Sequence, residues 1–400
     1  MSKNNQKAVP PVWFNSGDVD LEQLNALSSM QTIAEQVPMA DDVIHQIPVY
    51  DGAVISALAQ VSQVNNAAVR ALQREWVEVL LNGAGVLVIR NGVDDVDMLD
   101  EVSDVLLQIL EEESTENNAG ADHFAAAGTN SRIWNAHEKL CMRNPQLFAR
   151  YNANDAFALV CGAWLGPGYQ ITAQVNVVHP GGRAQVCHRD YHLGFQGREV
   201  LVEYPSHVHS LSPLLTLQGG IAHSQVPLAS GPTQLLPFSQ QLLRGYMDVH
   251  DQRFIDYFNK HRVQVPLDKG DMLFFNPALF HAAGDNDTTD FHRFVNLFQV
   301  GSAYGRTLEI VDRARMSIHV YPVIQSMLEA GSLSQRDVGN VVAACAEGYP
   351  FPANLDLEPP VGGLAVPSQQ AVMLKALKEG MQASEFTRLI HEQMSLKRSC

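Results

Sequence analysis

The chain has few cysteines, little charge and no long apolar run, and each shortage removes a class of protein from consideration. Its five cysteines (Cys141, Cys161, Cys187, Cys345 and Cys400) are odd in number and contain no CxxC pair, so neither a disulfide scaffold nor a cysteine-rich zinc module is indicated. Charged residues are only 18% of the chain, against 46% hydrophobic, which is the balance of a folded protein rather than a disordered one. Basic residues are scarcest, 27 against 43 acidic, for a formal net charge of −16. That field repels polyanions, no basic stripe offsets it, and nucleic acid is not an expected partner. No run approaches the roughly 18 apolar residues of a membrane span. The opening "MSKNNQKAVPPVWF" has no apolar core of signal-peptide length. The expectation is a cytoplasmic protein with no membrane contact.

What the chain does contain is organised in three parts. Residues 1–63 are broken by Pro10, Pro11, Pro38 and Pro48 and read as an extended arm with one short helix near 20–36. From 64 to 81, Val69, Leu72, Trp76, Val79 and Leu80 recur at helical spacing. "NGAG" (82–85) ends that helix, "VLVIR" (86–90) is a short strand, and 96–113 forms a second amphipathic helix. The small polar stretch 114–131 reads as a loop, and helices return at 144–165. Between about 169 and 301 short β-prone runs alternate with turns: "YQITAQVNVV", "EVLVEY", "LLTLQGGIAH", "TQLLPF", "VQVPL", "DMLFFN" and "FVNLFQV". Such spacing predicts an antiparallel sandwich or barrel, interrupted by a helix at 239–259. Helices are expected again at 307–331, 334–346 and 368–396, packing on the barrel or pairing two subunits into a homodimer.

Within this frame "QVCHRDYHLGF" (185–195) carries the chemistry. His188 and Asp190 stand two apart, so on extended backbone both side chains project to one side. A third ligand must come from elsewhere, and His281 in "GDMLFFNPALFHAAGDN" (270–286) is the best candidate. Two histidines and one carboxylate are the facial triad of non-haem Fe(II) oxygenases, which leaves coordination positions open. Arg293, in "FHRFVNLF", follows His281 closely enough to return beside the metal, and a guanidinium binds a carboxylate bidentately. Gln174 and Asn176 share strand parity in "ITAQVNVV" and face the same way. Arg189, His192 and His223 are candidate substrate contacts. "HVH" (207–209) lacks a glutamate at matching spacing and reads as an exposed loop.

Over residues 64–301 the sequence resembles the phytanoyl-CoA dioxygenase (PhyH) family of Fe(II)/2-oxoglutarate oxygenases. The opening helix, strand and second helix match 64–113, the HxD pair matches His188 and Asp190, and a Gly-Asp…Phe…His…Asn…Arg signature matches Gly270, Asp271, Phe274, His281, Asn286 and Arg293. A family turn matches "SGPTQLLPFSQ" (230–240), with Phe238 and Gln240 where glycine and histidine are usual. Gly220 stands where a tryptophan is frequent, and "AHSQ" (222–225) replaces "ALDD"; the glycine opens space into which His223 is expected to point. The resemblance implies an α+β fold with a double-stranded β-helix (jelly-roll) core in 64–305, flanked by the arm 1–63 and a C-terminal helical extension 306–400. It implies iron on His188, Asp190 and His281, and Arg293 on the distal carboxylate of 2-oxoglutarate, with Gln174 and Asn176 as further cosubstrate contacts. With dioxygen, a C–H bond of a small-molecule substrate would be hydroxylated with release of succinate and CO2. A non-catalytic jelly-roll binding protein and a zinc-dependent hydrolase or isomerase on the same triad are the alternatives.

Overall fold

The computed structural model describes residues 11–15, 20–61, 66–117, 129–360 and 362–398. Ten strands are present among them: β1 (Asp42–Ile44), β2 (Ile47–Asp51), β3 (Val86–Arg90), β4 (Asn130–Ile133), β5 (Gln170–Val178), β6 (Thr216–Ala222), β7 (Gln234–Leu236), β8 (Met272–Phe275), β9 (Phe280–Ala282) and β10 (Arg293–Gly301). Eight form one sheet in the order β1-β2-β3-β8-β6-β10-β5-β4, antiparallel except for the β2–β3 pair. A smaller sheet pairs β7 with β9. It is widened by single bridges, His188 to His281 and Leu235 to Val263.

Period two divides the large sheet into two unlike faces. One face carries Leu87, Ile89, Ala173, Val175, Val177, Leu217, Ile221, Met272, Phe274, Phe294, Phe298 and Val300, all in the main apolar core with the helices. Helix Ala67–Leu81 shows how that core is assembled. Asn66 caps it by accepting from the Ala68 amide, and its buried stripe Leu72, Trp76, Val79 and Leu80 packs inward. The C-terminal helices Arg313–Glu329, Gln335–Cys345, Gln369–Glu379 and Ala383–Leu396 join the same layer. There Met316, Tyr321 and Ile324 are fully buried, and Tyr321 stacks on Phe386 at 4.0 Å. The opposite face of the sheet looks toward the β7–β9 sheet and a cavity.

Several local expectations are corrected. The segment expected to be an extended arm supplies β1 and β2 at the edge of the large sheet and a helix, Gly52–Gln60. "EVLVEY", expected as a strand, is a helical turn at Arg198–Leu201. Its valines carry β propensity, but the segment has no neighbouring strand to pair with. "HVH" lies in the helix Ser206–Leu211, with His209 buried against Phe14 at 5.0 Å rather than exposed. The loop expected at 114–131 shrinks from both ends, into the helix Val96–Asn117 and into β4; its residues 118–128 lie outside those described.

Two backbone features accompany the sequence motifs. Gly270 has φ +93°, and a Cβ there would meet the Val93 carbonyl oxygen at 2.3 Å, so only glycine fits. The next residue, Asp271, pairs with Arg90 and accepts from the amides of Asn91 and Asp268, tying β8 to the β3 turn. Phe238 sits at φ +68° while its side chain is buried. A left-handed backbone costs a non-glycine residue about 1–2 kcal/mol, which is the physical reason for glycine at this turn in the motif.

Candidate metal centre and cavity

The residues 185–188 run antiparallel to β9. The His188 amide donates to the His281 carbonyl at 3.0 Å, the His281 amide returns the bond at 3.2 Å, and Gln185 donates to Ala283 at 3.0 Å. Residues directly opposite in an antiparallel pair carry side chains on one face about 5 Å apart, so one backbone bridge brings together two imidazoles 93 positions apart in the chain. Their ring centroids are 4.4 Å apart. Asp190 returns to the same side two residues after His188. Its Oδ2 lies 3.8 Å from His188 Nε2 and 3.4 Å from His281 Nε2. All three potential ligand atoms fall within 4.8 Å of one another.

Both imidazoles are oriented by the backbone. The Nδ1 of His188 donates to the Val186 carbonyl and that of His281 to the Leu279 carbonyl, each at 2.8 Å. Each Nε2 is thereby left unprotonated, with its lone pair toward Asp190. His281 Nε2 is buried and makes no hydrogen bond. Burial pushes the His188 pKa down, which favours the neutral ring. For Asp190, burial alone would raise the pKa. The amide donated by Gln218 works against it and favours the carboxylate. Two neutral nitrogen donors and one carboxylate suit a divalent transition metal. A metal held at about 2.0–2.2 Å by each needs ligand separations near 3 Å, a small inward adjustment. The donor set fits.

The three residues open into a cavity of about 580 Å³. Its floor is the second face of the large sheet: Arg132 from β4, Gln174 and Asn176 from β5, Arg293, Val295, Leu297 and Gln299 from β10, Gln218 and Gly220 from β6, and Leu273 and Phe275 from β8. Polarity changes along the strand order, from leucine and phenylalanine on β8 to arginine and amides on β5 and β4. Arg293 is buried, its guanidinium held by the Ser230 carbonyl at 3.0 Å. Burial pushes its pKa down to about 10, and among the described residues no carboxylate pairs with it. Gln174 accepts from Arg132 at 3.1 Å, and among the described residues neither its Nε2 nor the buried Asn176 Oδ1 has a hydrogen-bond partner. Polar atoms left unsatisfied in a buried wall are expected where a ligand completes them.

Three of the expected substrate contacts are placed elsewhere or turned aside. Arg189 alternates with His188 and Asp190, so its side chain leaves on the opposite side of the backbone. The guanidinium donates to the Ser239 carbonyl at 2.6 Å and lies over the rings of Tyr246 and Phe280. His192 does not continue the extended run. The chain turns into a short 3₁₀ segment with His192 at φ +48°, and the ring borders a neighbouring cavity of about 310 Å³ with Arg306 and Thr216. His223 is on the helix face of β6, three residues from Gly220 and therefore opposite in parity. It is sandwiched between Ser103 and Tyr151, at 2.9 Å from each, and stacks on Phe294. The space beside Gly220 is narrowed by Val295 and Leu297, 3.0 and 3.5 Å from where a Cβ would stand. Residues the sequence reading passed over are Arg132, Gln218, Gln299 and Tyr246. For Gln218 and Gln299 the signal was available, because both sit at cavity parity in β-prone runs; Arg132 and Tyr246 required the tertiary fold.

The phytanoyl-CoA dioxygenase (PhyH) family model matches residues 81–294. Among curated proteins none matches the sequence. Several solved structures are similar. The non-heme alpha-ketoglutarate-dependent epimerase SnoN from nogalamycin biosynthesis is 17% identical, with 59% of this chain and 82% of that one covered and a TM-score of 0.41. The carbocyclase SnoK, from the same biosynthesis, is 19% identical over 59% and 86%, TM-score 0.40. HygX from Streptomyces hygroscopicus, with nickel and 2-oxoglutarate bound, is 14% identical over 60% and 91%, TM-score 0.39. Among the described residues no helix is long and apolar enough to cross a membrane. With the family model covering more than half of the chain, its HxD, distal histidine and arginine positions all occupied, the protein belongs to the phytanoyl-CoA dioxygenase family.

Proposed function

We propose that the chain is an Fe(II)/2-oxoglutarate-dependent dioxygenase that hydroxylates a C–H bond of a small molecule, releasing succinate and CO2. One observation carries this reading: His188 Nε2, His281 Nε2 and Asp190 Oδ2 converge on one point, at the wall of a cavity that also holds a buried arginine with no carboxylate partner among the described residues. The two sheets facing across that cavity are read as the walls of a distorted jelly roll, the smaller one reduced to β7, β9 and bridged segments.

Iron on the triad supplies dioxygen activation coupled to oxidative decarboxylation of the keto acid. The rest falls to the chain. Arg293 receives the distal carboxylate of 2-oxoglutarate, and the Ser230 carbonyl fixes the plane of its guanidinium. Val226, Leu267, Leu273, Phe275 and Val295 surround that end with apolar wall and exclude water. Asn176 and Gln174 line the cavity, and their amides complete the cosubstrate's polar contacts. The substrate then occupies the polar end near Arg132 and Gln299, entering past the exposed side chains of Val186, Phe195 and Leu308.

Anaerobic titration with Fe(II) followed by 2-oxoglutarate tests the proposal. A weak visible charge-transfer band is expected to form in the parent, to be lost in His188→Ala and to persist in a variant at the exposed His207. No band, together with tight retention of zinc, would replace this reading with a zinc-dependent hydrolase or isomerase. No metal binding of either kind would leave a non-catalytic binding protein.

A further inference from the structure

We infer that Gln218 is a positioning residue for the third metal ligand: its side-chain amide holds the Asp190 carboxylate so that Oδ2 alone faces the two imidazoles. The inference rests on the metal centre proposed above. Gln218 Nε2 donates to Asp190 Oδ2 at 2.6 Å, and Oδ2 is the oxygen that also faces both histidine nitrogens. A carboxylate only accepts, so this contact fixes which end of the amide points at the metal centre. The other end, Oε1, is buried and without a partner among the described residues.

The backbone of Asp190 is immobilised independently. Its amide donates to the Pro277 carbonyl at 2.9 Å, and its carbonyl accepts from the Tyr246 hydroxyl at 3.0 Å. The freedom that remains lies in the side chain and includes rotation of the carboxylate about its Cβ–Cγ bond. Turning it would bring Oδ1 toward the metal, and a chelating carboxylate takes up a position that an oxygenase must keep open. The Gln218 bond opposes that rotation and draws charge from the ligand oxygen, moderating it as a donor. The strand supplies the reach. Gln218 stands opposite Phe275 on β8 and Gln299 on β10, at cavity parity, on the strand next to the cavity centre.

The test uses metal-free full-length protein titrated with Co(II), read by visible absorption. Gln218→Leu and Gln218→Met both remove the donor while differing in shape. Each is expected to bind Co(II) about 10- to 100-fold more weakly than the parent, with changed intensity in the visible bands. Thermal unfolding of the metal-free proteins identifies the variants that fold, and a fold-only role would move that temperature without moving the cobalt spectrum. If either folded variant binds Co(II) with the parent's affinity and spectrum, the role of Gln218 is overturned and the metal centre stands. If the parent itself binds no Co(II), the metal centre is overturned, and the role of Gln218 with it.

Discussion

The two faces of the large sheet are made by the same strands, one residue out of step, and they differ in what they leave unsatisfied. On the helix face β5, β6 and β10 present Val175, Ile221, Phe294 and Phe298, buried among helices. Of its buried polar groups, His223 has both ring nitrogens engaged, and Asn296 donates to Tyr151 but leaves its Oδ1 without a partner among the described residues. On the cavity face the same strands present Gln174, Asn176, Gln218, Gln299 and Arg293, and each of the four amides has a side-chain atom without a partner among the described residues. The contrast separates stability from function by parity: one face is packed mainly on apolar side chains, and the other gathers polar side chains around a cavity. Variants on the two faces should therefore fail in different measurements.

The largest effect expected is at His281. His281→Ala removes a proposed ligand whose Nε2 has no hydrogen-bond partner among the described residues, so metal affinity should fall at least about 100-fold while metal-free stability changes by about 1 kcal/mol or less. Equilibrium dialysis and urea unfolding on the same sample check both halves. The converse is Phe298→Ala. Phe298 is buried and meets Phe157 edge-on at 4.8 Å, and the cavity left should destabilise the fold by about 3–5 kcal/mol. Metal affinity of the fraction that folds should be unchanged. Equal loss of metal binding in both variants would break the division between the faces.

Arg293 sharpens the contrast because the two quantities should move in opposite directions. Its cation is buried with a carbonyl partner and no carboxylate among the described residues, an arrangement that the fold alone does not favour. Arg293→Leu should lower 2-oxoglutarate affinity about 10- to 100-fold, as expected for a lost charge-assisted pair. It should also raise the stability of the ligand-free protein by about 1 kcal/mol. Calorimetric titration of 2-oxoglutarate into the metal-loaded protein and urea unfolding of the apo form measure the two. A stability loss would mean that the arginine is structural.

Parity also explains what the sequence revealed and what it did not. His188 and Asp190 were legible because their spacing of two needs only extended backbone, and Arg293 because its residue type and its place after His281 are both demanding. Helices such as Ala67–Leu81 were legible from their apolar stripe. The placements of Arg189 and His223 were misread although the same period-two count was available: 189 lies between the two ligands, and 223 differs in parity from 220. The cavity parity of Gln218 was readable in its β-prone run, but its role was not. Its role depends on β6 lying beside β8 and β10, a pairing across distant segments that no local pattern encodes. The smaller wall was underread because it is built largely from single bridges, which lack the alternation that marks a strand.

The smallest effect concerns the closed face and its response to acid. His223 sits in a directed chain of hydrogen bonds. Ser103 Oγ donates to the Leu99 carbonyl at 2.7 Å, so it must accept from His223 Nδ1. Asn296 donates to the Tyr151 hydroxyl, which is then free to donate to His223 Nε2. A proton arriving at Nε2 would collide with that donor, and burial opposes the charge as well, pushing the His223 pKa down to about 3. His137, buried against the Ala344 carbonyl, is lowered to about 3 for the same reason of burial. Above an unfolded-state pKa near 6.5 both rings are neutral in both states and contribute no pH dependence. As pH falls from 6.5 toward 3 the unfolded chain takes up protons that the folded chain refuses. Stability then declines by up to about 1.4 kcal/mol per pH unit for each ring. In His223→Leu the decline between pH 6 and pH 4 should become shallower by about that single-ring amount, measured by urea unfolding at several pH values. An unchanged slope would mean that His223 does take up a proton in the folded state, and that the helix face is less completely closed than its hydrogen bonds indicate.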